Sequence, residues 1–171
     1  MKPIGPLMRE HRLIERMVVV LAKQFDPNLI PAAVDFFRTY ADRTHHGKEE
    51  EILFRALARK PLSPKDSQIM RELIEEHVVA RKMVKGLLDA HTRYSAGKMD
   101  SPDEVLALVR QLVDFYPRHI LKEDRDFFFP CLEYLAADEQ AAMLEEFWEF
   151  DRRMIHEKYQ KVVDAFSSPL P

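Results

Sequence analysis

The stretch His45-His46-Gly47-Lys48-Glu49-Glu50-Glu51-Ile52-Leu53-Phe54 decides how this chain is read. Each of its two histidines has a glutamate four residues later. On a helix, positions four apart project from one face, so either pair turns an imidazole and a carboxylate the same way. Working outward, Phe37, Ala41, Ile52 and Ala56 continue the His45/Glu49 line at helical spacing. The His46/Glu50 line runs through Thr39 and Asp42, a wetter face. Stripe periodicity therefore favours the His45/Glu49 register as the inward one.

The motif has relatives along the chain. His119/Glu123 repeats it, with Leu112 and Phe127 in line, and His11/Glu15 repeats the spacing. His11 shares a stripe with Leu7, Ile14, Val18 and Leu21, and His77 shares one with Met70, Leu73, Val84 and Leu87. Prolines divide the chain between these stripes. Asp26-Pro27-Asn28 ends a first helix of about 7–24, and Pro31 suits the first turn of a second, about 31–59. Ser63-Pro64 caps a third, which stops at Ser95-Ala96-Gly97. Ser101-Pro102 opens a fourth, in which Pro117 should produce a kink just before His119. A fifth follows at about 138–166, with Phe147, Trp148, Ile155 and Tyr159, and Trp148 is expected to anchor it.

No strand-like alternation of useful length interrupts this pattern, and the loops joining the first four helices are short. The expected fold is all-α: an up-down antiparallel four-helix bundle with an additional C-terminal fifth helix. We expect a single domain over 1–171, with the bundle at about 5–135. The fifth helix would cover an open seam of the bundle, or form a homodimer or partner contact.

Composition narrows the function. Of 171 residues, 46% are apolar and 32% charged, as in a globular chain. The net charge of −3 argues against nucleic-acid binding, which needs a basic face. Only four glycines are present, and no phosphate-cradling glycine loop is among them. One cysteine, Cys131, permits no internal disulfide and no cysteine-type zinc site, and it reads as a small buried residue. No apolar run approaches a membrane span, and the first residues lack a signal-peptide core, so a cytoplasmic location is expected.

One histidine on an apolar stripe is ordinarily structural. Here His11, His45, His77 and His119 fall on the inward stripes of four different helices, with Glu49 and Glu123 beside them. Burying so many polar groups without partners costs several kcal/mol in round figures, about 1–3 for each group. Metal coordination supplies the partners. Six inward ligands exceed one tetrahedral zinc. They suit two ions of higher coordination, iron first, with manganese or zinc as alternatives. The chain contains no Glu-x-x-His, which separates it from ferritin-type dinuclear sites.

At this point the sequence resembles the hemerythrin-like, or HHE cation-binding, family. The match rests on Glu10-His11, on the 45–54 stretch, on Glu76-His77, and on His119-Ile120-Leu121-Lys122-Glu123-Asp124 with Phe127-Phe128-Phe129-Pro130. The tail E-[ED]-x-x-[LF]-F follows both His-x-x-x-Glu motifs. The resemblance implies an up-down four-helix bundle around a carboxylate-bridged non-haem diiron centre. Carried over by position, it implies His11, His45, Glu49, His77, His119 and Glu123 as ligands. Oxygen-carrying members have two histidines four apart on the third helix, whereas Leu73 and Arg81 flank His77 at that spacing here. One histidine is therefore absent or comes from elsewhere, with His156 on the fifth helix as a source, and reversible oxygen carriage is not expected.

The functions that fit are a diiron protein binding or sensing oxygen, nitric oxide, iron or redox state, and, at the same site, an enzyme of peroxide or nitric oxide chemistry or of iron delivery for cluster repair. A metal-free helical interaction module is disfavoured by the cost of polar burial. The remaining aromatics have plain readings. Phe127, Phe128 and Phe129 belong to core and loop packing. Tyr40 and Tyr116 lie one turn from His45 and His119 and either line the core or hydrogen-bond a ligand.

Overall fold

A computed structural model describes residues 1–23, 26–152 and 156–167, without the side chains of 156–158 and 161. Helix α1 is Ile4–Lys23. Helix α2 is one rod in four stretches: α-helical Leu29–Phe36, π-type Phe37–His46 and Glu49–Phe54, and a last turn, Arg55–Leu57. Helix α3 is Pro64–Ser95, with the Ser63 side chain accepting a hydrogen bond from the Asp66 N–H at 3.1 Å. Helix α4 runs Asp103–Leu121, continues as π-type Lys122–Phe127 and closes with Phe128–Leu132. Helix α5 is Ala137–Asp151 and α6 is His156–Ser167. The chain is all-helical, a bundle with extra helices, and has no strand among the described residues.

The four long rods form a closed ring, α1 against α2, α2 against α3, α3 against α4 and α4 against α1. Short loops make each step antiparallel. The expected fifth helix is divided in two. Part of it, α6, packs on α1 and α2, whereas α5 packs on the second π-type stretch of α2. Its expected anchor is also different. Trp148 is 46% exposed, and Phe147 beside it is fully buried. The reason is phase: Met143, Leu144 and Phe147 share the inward face of α5, and Trp148 lies a step around it. The α-helical span of α4 continues through Pro117, which lacks the N–H of one ladder bond, and the π-type stretch begins at Lys122.

The apolar core is in two parts. One is built from Ile14, Met17, Ala41, Ala80, Tyr116 and their neighbours, the other from Leu7, Ile52, Leu73, Phe127, Phe147 and theirs. Between them every long helix carries a buried polar step: His11 between Leu7 and Ile14, His45 between Ala41 and Ile52, His77 between Leu73 and Ala80, and His119 to Glu123 between Tyr116 and Phe127. The bundle thus holds a polar layer sealed by apolar packing above and below.

Candidate metal centre

All six residues expected as inward ligands meet in this layer, and each is at most 2% exposed. Glu49 lies between two imidazoles, with Oε1 3.4 Å from His45 Nε2 and Oε2 3.4 Å from His77 Nε2. Glu123 does the same, with Oε2 3.0 Å from His11 Nε2 and Oε1 3.3 Å from His119 Nε2 and 3.6 Å from His77 Nε2. Each carboxylate therefore offers one oxygen to each side of the layer.

A seventh residue joins them. The 3.6-residue stripe puts His46 on a wetter face, but it is 1% exposed and its ring stacks on that of His77, with centroids 3.8 Å apart. Two groups of donor atoms result, His46 with His77 and His119, and His11 with His45, Glu49 and Glu123. Within each group the atoms lie within 4.8 Å of one another. Consecutive histidines both face inward because α2 is π-type there. Its wider turns place more residues on each turn than an α-helix does, so a stripe drawn at 3.6 drifts out of phase. Thr44 Oγ1, donating to the Thr39 carbonyl five residues back at 2.8 Å, follows the same wider turn. His156 carries no described side chain, so its proposed part falls outside the described residues.

Every inward histidine except His46 is held from behind. Nδ1 of His45 donates to Glu10 at 2.9 Å, that of His77 to Glu50 at 2.7 Å, that of His119 to Glu76 at 2.7 Å, and that of His11 to Asp124 at 2.7 Å. The pattern is cyclic. Helix α1 supplies the carboxylate for α2, α2 for α3, α3 for α4, and α4 for α1. A cation grips each carboxylate in turn: Lys48 on Glu10, Arg81 on Glu50, Lys122 on Glu76 and Arg12 on Asp124. Each cation sits on the same helix as the histidine it serves. Such carboxylates fix the tautomer with Nδ1–H outward, leaving Nε2 as the inward donor atom. At His46 the nearest carboxylate, Asp42, is 3.5 Å from Nδ1 and makes no hydrogen bond. The outer carboxylates were not singled out from sequence as supports, although each is adjacent in sequence to an inward residue: Glu10 to His11, Glu50 to Glu49, Glu76 to His77, Asp124 to Glu123.

Electrostatics follow from this packing. Burial, reinforced by the Glu123 charge, pushes the Glu49 carboxyl well above its ordinary range. Burial acts on Glu123 too, but His119, His11 and His77 outweigh it and hold its carboxyl well below that range. Burial opposes the charge on His11, yet Asp124 and Glu123 raise it to about 9. His45 is lowered to about 4 by burial and by the His11 charge, against the pull of Glu10.

Among the described residues, nine buried side-chain nitrogen and oxygen atoms have no hydrogen-bond partner, and all belong to this layer. They are Nε2 of His11, His45, His77 and His119, Nδ1 of His46, and all four oxygens of Glu49 and Glu123. Unpartnered buried groups of this kind are costly. Imidazole nitrogen with carboxylate oxygen is a donor set for a transition-metal cation, so the residues present fit such an ion. A family model, the hemerythrin HHE cation binding domain, matches residues 2–129. This chain belongs to that family. Comparison with curated proteins and with solved structures gives no match. Membership implies cation binding by this hemerythrin-type bundle, and the clusters of histidine and glutamate in the polar layer fit a metal site. None of the described helices is long and apolar enough to cross a membrane.

The flanking aromatics match their sequence reading only in part. Phe127 and Phe128 are fully buried, and Phe128 stacks on the His11 ring with centroids 5.5 Å apart. Phe129 is 55% exposed and belongs to neither core. Cys131 is buried and free, as expected.

Proposed function

We propose that this chain binds two metal ions, iron in the resting cell, and serves as a non-haem diiron protein that binds or senses oxygen, nitric oxide or redox state. One observation carries the reading: Glu49 and Glu123 each turn one oxygen toward the histidines on either side of the layer. His46, His77 and His119 would hold one ion and His11 and His45 the other, with the two carboxylates shared. Bound iron supplies a ferrous–ferric couple and binds small diatomic ligands. The protein orients the imidazoles through the four outer carboxylates, keeps their Nδ1 protons in place, and excludes bulk water by the two apolar cores. The two-histidine side has fewer protein donors, which makes it the side that a small ligand would meet.

Metal analysis and absorption spectroscopy on anaerobically purified protein test this, before and after exposure to oxygen or nitric oxide. Two irons per chain, with a spectrum that changes on exposure, are expected. Stoichiometric zinc that responds to neither gas would overturn the redox reading and leave cation binding intact.

A further inference from the structure

Beside the polar layer, a cavity of about 440 Å³ opens between α2 and α3, with His46 among its lining residues. Its walls are Phe37, Ala80, Val84, Leu88 and Tyr116. All but Leu88 are nearly or fully buried, so the apolar part is the deep part. The volume falls in the range of small-molecule sites, which are mostly apolar with a few placed polar groups. The ring of Phe37 stacks on Tyr116 with centroids 4.8 Å apart, giving the wall a fixed shape.

The mouth is different. Arg38 and Lys85 stand there, both exposed, and neither has an ion-pair partner among the described residues. Asp89 also lines the mouth and is one negative charge against two positive ones, since Arg93 on the next turn of α3 is paired with Glu104. Deeper in, Arg81 and Asp42 neutralise each other at 2.7 Å, and Arg81 also bonds Glu50. The charge left over at the mouth is positive, and the aliphatic stems of Arg38 and Lys85 extend the apolar wall outward.

We infer that this cavity is a binding site for a small amphipathic monocarboxylate, with its hydrocarbon body against Phe37, Ala80, Val84 and Tyr116 and its carboxylate at Arg38 and Lys85. The molecule enters body first, so its apolar end abuts the His46 ring. The inference goes beyond the metal reading and stands on the cavity and its rim. A free solute fits this site because the apolar wall is buried and the charged side chains left unneutralised stand only at its rim.

Octanoate is the probe, titrated calorimetrically into the purified full chain with metal content measured on the same sample. Octanol and acetate separate body from head. Saturable binding of one octanoate per chain is expected, with octanol and acetate each at least about tenfold weaker. The exposed pair Arg38→Gln with Lys85→Gln should weaken octanoate about tenfold, the scale of two partly solvated charge contacts. Leu88→Trp, at the half-buried mouth, should abolish binding with the metal content unchanged. Octanol binding as tightly as octanoate, or full affinity in the double charge variant, would overturn the assigned head group. Absence of saturable octanoate binding would overturn the site, whatever the metal content, and a sample without metal that still binds octanoate would count against the metal reading alone.

Discussion

His46 carries more of the argument than any other single residue. Its ring stacks on His77 and it can offer a donor atom close to those of His77 and His119, so His46→Ala should cost metal as His45→Ala does. The expected result is loss of about one ion per chain, read by metal analysis of the purified variant. Full retention of metal in His46→Ala would reduce this histidine to the end wall of the cavity. The outer carboxylates make a second, milder prediction. Glu76→Gln removes the charged acceptor behind His119, and Lys122 keeps only Glu72 of its two carboxylate partners. Changes of this kind lower metal affinity by roughly 10–100-fold. A chelator competition should show that loss while the far-ultraviolet circular dichroism stays that of the wild type. Unchanged affinity would mean that the apolar packing, with Phe115 stacked on the His119 ring, orients the imidazole by itself.

At the scale of elements, α5 is tied to the centre through two contacts on α2. Lys48, fully buried, bonds both Glu10 and Asp151, the latter at 2.6 Å, and lies 5.8 Å from the centre of the Phe147 ring. Gly47, next to it, is where Phe150 packs: a Cβ there would sit 2.9 Å from Phe150 Cζ. The glycine is required by this close approach and not by backbone conformation, since its φ of −58° is helical. Gly47→Ala gains about 1 kcal/mol of helix propensity and sets against it overpacking of about 1–3 kcal/mol. In wild type the change should be neutral to destabilising. In a Phe150→Ala background the clash is gone, and the same change should stabilise by about 1 kcal/mol. Chemical unfolding of the four proteins of this double-mutant cycle measures the coupling, and additivity would show that α5 does not press on α2 at this point.

For the molecule as a whole, the polar layer makes folding and metal binding one problem. In metal-free protein His11 is raised to about 9 from an ordinary 6.5, so its charge contributes stability fully present below pH 6.5 and lost as pH rises through 9. The raised carboxyl of Glu49 acts in the same sense, because ionising it becomes costly as pH climbs. Metal needs these ligands deprotonated, so its stabilisation strengthens over the same window. The melting temperature of chelated protein should therefore fall between pH 6.5 and about 9, and its gap to metal-loaded protein should widen. Thermal unfolding of both forms across that window checks this, and a gap that stays constant would show that protons do not compete with the metal for the layer.

The four-rod bundle was legible in the sequence because helix periodicity, proline breaks and short loops are local signals. So were His11, His45, Glu49, His77, His119 and Glu123, whose stripes place polar residues where apolar ones belong. Their meeting in one sealed layer is tertiary, set by the ring of helices closing at one height. The burial of His46 is not legible in the sequence because a π-type stretch is held by its neighbours and not by composition, so a 3.6 period carried through it loses phase. The role of Glu10, Glu50, Glu76 and Asp124 was out of reach for another reason. Each serves a histidine on a neighbouring helix, and a single chain read in order shows what is adjacent along it but not what faces it across a bundle. Local sequence fixes which side of a helix is polar, and only packing decides which polar groups find one another.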